Sequence, residues 1–117
     1  MSLRSIQLIL FVSVFSIVSR TAVAQELTAR ELAEEYASCA AYYLMLSKAD
    51  TKLAKYAQFG VAAADNAGRL TNPDEALAMM GQETKRLLKM MDHDWNNAAV
   101  IIESKAEPCK DLMTLSE

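Results

Sequence analysis

Two cysteines, Cys39 and Cys109, stand 70 residues apart in a chain of 117, and a bridge between them would constrain every arrangement of the chain that joins them. Cys39 lies in a run where Leu32, Tyr36, Cys39, Tyr43 and Leu46 recur at spacings of four, three, four and three. That period places all five on one face of an α-helix, so the thiol is part of an apolar stripe.

Pairing depends on the compartment, and the amino terminus argues for export. One early charge, Arg4, precedes an apolar run from Ile6 to Val18, and Ala22-Val23-Ala24 then supplies the small residues that signal peptidase accepts. We read residues 1–24 as a signal peptide and residues 25–117 as a single helical domain. The apolar run has 13 residues, against the roughly 20 that span a bilayer, so no stable membrane anchor is expected after cleavage. An exported chain meets oxidising conditions, where two cysteines pair by default. No Asn is followed two places on by Ser or Thr, which fits the bacterial periplasm as well as an extracellular address.

Loss of Arg4 and Arg20 with the signal peptide takes the formal charge from −3 to −5. A nucleic-acid binder shows a basic stripe, and here Lys85, Arg86 and Lys89 are diluted by Glu83 and Asp92, so no nucleic-acid partner is expected.

Helix signals divide the mature chain. Thr28 and Glu31 have the spacing of a capping box, which starts a first helix running to about Lys48. Asp50 is placed to cap a second, from Thr51 to about Ala67, whose stripe of Leu53, Ala57, Gly60, Ala64 and Ala67 is mostly small and suits close packing. Tyr56 and Phe59 flank that stripe and read as core aromatics, while Gly68 is placed to end the helix in the left-handed conformation. Asn72-Pro73-Asp74-Glu75 combines a cap, a first-turn proline and two acids, a strong helix start. The stripe Leu77, Gly81, Thr84, Leu88, Met91 carries this third helix to Met91.

Continued through Trp95 and Ile102, the third helix would hold about 34 residues and put Cys109 about 54 Å from its start, while Cys39 stands only about 16 Å above the same end. The bridge could not close. A turn in the polar cluster Asp92–Asn97 lets a fourth helix descend and return Cys109 to about 10–14 Å. Asn96 or Asn97 would cap that helix, Ile101, Ile102, Cys109 and Leu112 would face inward, and Pro108 should kink it or split off a second short helix. The expected fold is all-α, a small up-down-up-down four-helix bundle with one disulfide linking its first and last helices.

Chemistry is sparse. His93 is the only histidine, and Ser38, Ser47, Ser104 and Thr84 are scattered without a nucleophile–base context, so the chain does not read as an enzyme. No haem-attachment or di-iron motif is present, and no cofactor is expected. Thioether and imidazole donors suit copper(I), which makes Met90, Met91 and His93 the candidate metal ligands, although methionine also fills gaps in helical cores. Tyr42, Met45, Met79 and Met90 fall off the main stripes and, with Trp95, form a candidate partner surface, unless a wider core face takes them in. The expectation is a small exported, non-catalytic helical protein that acts by protein–protein interaction, with an unknown partner or as a homo-oligomer. The alternative is a carrier of a small apolar ligand or copper(I) in the bundle.

Overall fold

Local hydrogen bonding explains where each helix begins and ends in the computed structural model, which describes residues 28–115; the signal peptide expected over residues 1–24 lies outside the described residues. The Thr28 side chain accepts from the backbone N–H of Glu31 and donates to its carboxylate, opening α1 (Ala29–Ala49). Asp50 accepts from the N–H of Lys52, so it caps a short 3-10 turn, Thr51–Leu53, rather than the second helix. The second helix, α2, follows as Tyr56–Leu70.

Gly68 does not end α2. The helix runs on to Leu70, and both the backbone N–H and the hydroxyl of Thr71 donate to the Ala67 carbonyl, supplying the terminal hydrogen bonds for which a left-handed glycine had been expected. Two residues later Asn72 accepts from the N–H of Glu75 and Pro73 occupies the first turn of α3 (Pro73–Met90).

The predicted break after Met91 is present and is made by two consecutive left-handed residues, Asp92 (φ 55°) and His93 (φ 54°). This conformation is unfavourable for most side chains but is visited by Asp and His more than by others. Their N–H groups turn back to Lys89 and Leu88, while the Asn97 side chain donates to the Met91 carbonyl. Asp94 accepts from the N–H of Asn96 and so starts the 3-10 turn Trp95–Asn97, from which α4 (Ala98–Leu115) continues. Neither Asn96 nor Asn97 has the capping role expected of it. Pro108 lies inside an unbroken α4, which is neither split nor shortened there. Proline removes one helix donor, but the next residue, Cys109, is covalently held against α1, so the chain stays helical.

The protein is therefore all-α among the described residues: four helices, with Cys39 and Cys109 joined by a disulfide, Cα atoms 5.4 Å apart, linking the first and last. No helix of the described residues is long and apolar enough to cross a membrane. The disulfide is consistent with an oxidising, exported location.

In this arrangement α1 is the central element. It packs against α2, α3 and α4, whereas α4 touches α3 lightly and leaves α2 uncovered on that side. From Tyr36 to Leu46 most of its residues are buried, including Ala37, Ala40 and Ala41, and small side chains let the helices approach. Contact with α2 is close at Gly60, where an added Cβ would lie 2.7 Å from Leu44 Cγ. Because neighbours surround α1, Tyr42 (3% exposed) and Met45 (7% exposed) are core residues; their expected place on a partner surface is corrected.

The stripe of α3 is corrected in its first half: Leu77 is 65% exposed and Gly81 faces open space, while Ala76 and Leu87 are buried and Met80 and Glu83 half-buried; Thr84 and Leu88 are half-buried and Met91 buried, as expected. On α4, Ile101 and Cys109 are fully buried and Leu112 half-buried as expected, but Ile102 turns outward.

Candidate functional site

Since α2 and α4 flank α1 without packing against each other, a cleft of about 340 Å³ opens between them. Its lining includes Tyr42 and Tyr43 of α1, Tyr56 and Phe59 of α2, and Lys110 and Met113 of α4. The rings form one cluster. Tyr43 stacks on Tyr56 with centroids 5.7 Å apart and planes 22° apart, meets Phe59 at 5.6 Å and Tyr42 at 5.1 Å, both tilted, and Tyr56 lies 5.9 Å from Phe59. Offset and tilted pairs at such separations are favourable arrangements for the ring quadrupoles. The Lys55 ammonium lies 5.6 Å from the centre of the Tyr56 ring, within cation–π range.

Sequence periodicity identified Tyr56 and Phe59 as core aromatics, but Phe59 is 41% exposed and Tyr56 half-buried, so they form a wall of this cleft. Their position beside, not on, the small-residue stripe of α2 is the signal that separates wall from core. Tyr42 and Tyr43 are more than nine-tenths buried, yet neither hydroxyl forms a hydrogen bond with the described residues, and neither oxygen is sealed from solvent. Burial pushes the Tyr42 phenol up to about 12, with its neighbours Tyr43 and Tyr56 adding to the shift, and burial raises Tyr43 as well. Both phenols stay protonated, able to donate, through the physiological range.

An acid whose pKa is higher folded than unfolded weakens the fold once the unfolded chain ionises first. Stability is therefore expected to fall as pH rises from about 10 towards 12. Thermal unfolding measured across that range should show a loss that Tyr42→Phe reduces; an unchanged alkaline slope in the variant would contradict the assignment.

A second polar group joins three helices. Lys105 of α4 hydrogen-bonds Ser38 of α1 and lies 3.4 Å from the carboxylate of Glu83 on α3, which also accepts from Arg86. The group ties α1, α3 and α4 together through side chains. Burial alone would raise Glu83, but the Arg86 hydrogen bond, the Lys105 charge and Ser38 outweigh it and hold the carboxyl below its usual value.

A lowered carboxylate contributes stability above its unfolded pKa, and that contribution is lost as pH falls through the folded value. Urea unfolding at pH 7 and pH 3.5 should thus show a loss at the lower pH that Glu83→Gln diminishes. An equal acid loss in wild type and variant would contradict this.

The remaining candidates are dispersed. Met79 and Met90 are half-buried, and the Met90 sulfur accepts from Arg86 at 3.4 Å. Trp95 is half-exposed on the turn before α4. Of the proposed copper ligands, Met91 is fully enclosed in the core and His93 stands exposed in the left-handed reversal. Among the described residues no group of three or more His, Cys, Asp and Glu side chains could hold a metal ion. The Ser38–Glu83–Lys105 group is not legible in the sequence, because its members come from three helices and share no local motif.

The exposed apolar residues Val61 (63%) and Leu77 (65%) border a separate groove between α2 and α3, whose lining includes Ala64, Met80, Asp65 and Arg69. No family model, curated protein or solved structure matches this chain.

Proposed function

We propose that the chain is a small exported, non-catalytic helical protein, resident in the bacterial periplasm or outside the cell, that acts by protein–protein interaction through the groove between α2 and α3. The observation that carries this reading is the joint exposure of Val61 and Leu77 on adjacent helices, since large apolar side chains gathered on one face mark interaction sites. The partner this surface itself argues for is a second copy. Asp65 and Arg69 stand one turn apart beside the apolar residues and pair with each other at 3.2 Å. Across a twofold axis with antiparallel α2 helices, each arginine would face the other copy's aspartate, so the surface complements itself.

Leu77→Glu places a charge on this face without touching the core, because the side chain is mostly in solvent. Sedimentation equilibrium is expected to give a dimer for the oxidised mature wild type and a monomer for the variant, with helical content unchanged. A wild type that is monomeric up to its solubility limit would overturn self-association.

A second reading, a carrier of a small apolar ligand, is supported by a different observation: the aromatic cleft between α2 and α4, with two tyrosine hydroxyls that form no hydrogen bond among the described residues.

A further inference from the structure

We propose that the cleft between α2 and α4 binds a small planar aromatic molecule carrying an anionic acceptor group, an aromatic carboxylate, with the Tyr42 and Tyr43 hydroxyls as its donors. The inference rests on the carrier reading and is independent of self-association through α2 and α3.

Size, surface and polarity agree on this chemistry. The volume of about 340 Å³ lies at the small end of the roughly 300–1,000 Å³ found for small-molecule sites, and such sites combine apolar walls with a few placed polar groups. Phe59 and Tyr56 offer ring surface that is not fully covered by their neighbours, which suits a flat apolar ligand. Neither tyrosine oxygen is sealed from solvent, so both hydroxyls remain able to donate to a ligand oxygen seated in the cleft.

Charge selects the acceptor. Protonated phenols can donate to an oxygen-bearing anion, and hydrogen bonds to a charged acceptor are stronger than those to a neutral one. Lys110, on the α4 side, forms no ion pair among the described residues and can complement a carboxylate. Glu107, one turn earlier, also borders the cleft and opposes an anion that approaches from its side.

The test is a titration of the oxidised mature protein with naphthalene-2-carboxylate, followed by aromatic and methyl NMR signals. Saturable shifts are expected at Tyr42, Tyr43, Tyr56, Phe59 and Met113. Tyr43→Phe removes one donor and no protein hydrogen bond, so the variant should fold as wild type, checked by circular dichroism. It is expected to bind about tenfold more weakly, the effect of losing one hydrogen bond to a charged acceptor. Lys110→Gln should weaken naphthalene-2-carboxylate but leave neutral 2-acetylnaphthalene unchanged. Repeating the titration on Leu77→Glu separates the two surfaces, because that variant should retain the cleft whether or not the wild type dimerises. Absence of saturable shifts, shifts gathered at Val61 and Leu77, or equal affinity of wild type and Tyr43→Phe would each overturn the proposal.

Discussion

Reduction of the Cys39–Cys109 bridge is expected to lower the unfolding free energy by about 4 kcal/mol, the chain-entropy value for a closed loop of 70 residues. Folded domains are typically stable by only about 5–15 kcal/mol, so the reduced chain should unfold far more readily. The effect should be concentrated in α4. This helix exposes most of its surface, has little contact with α3 and none of substance with α2, and is held to α1 by the disulfide, Ile101 and the Lys105 group. Chemical denaturation of the oxidised protein and of Cys39→Ala/Cys109→Ala measures the difference, and hydrogen exchange should show α4 amides losing protection before those of α1. A change below about 1 kcal/mol would mean that α4 docks without the bridge.

Leu87→Ala should be the most damaging single truncation, costing about 3 kcal/mol within the 2–5 kcal/mol range for large-to-small changes at enclosed sites. Leu87 is fully buried on α3. The same truncation at Leu77, 65% exposed one face away, should change stability by less than about 0.5 kcal/mol. Paired urea melts of the two variants provide the check, and similar losses would contradict this placement of α3.

Much of this fold could be read from the residues, and the reasons are local. Thr28 and Asn72 carry capping chemistry that acts within three positions, and both start helices as read. The cysteine pair supplied a long-range distance, which was enough to require the reversal after Met91. What sequence could not reach depended on neighbours. Leu77 and Met80 both fit a helical stripe, and only the packed neighbours decide that Met80 is the one set against the core. Tyr42 and Met45 lie off the main stripe of α1, and they are buried because α1 is surrounded, a property of the assembly rather than of their spacing. Gly68 could have ended α2, but Thr71 supplied the closing hydrogen bonds instead.

The candidate site shows the same division. Tyr42, Tyr43, Tyr56 and Phe59 could each be identified as aromatic residues of helical faces. Their convergence depends on α2 and α4 standing apart across α1, which no periodicity encodes. The unpartnered state of the two hydroxyls likewise appears only once every helix is in place.

The most direct measurement is a calorimetric titration of naphthalene-2-carboxylate into wild type and Tyr42→Phe/Tyr43→Phe, both oxidised. A single site on the wild type that weakens by roughly a hundredfold in the double variant, two hydrogen bonds' worth, is the expected result. Equal affinity in both proteins would show that the two hydroxyls play no part in binding and would contradict the cleft as a site for aromatic acids.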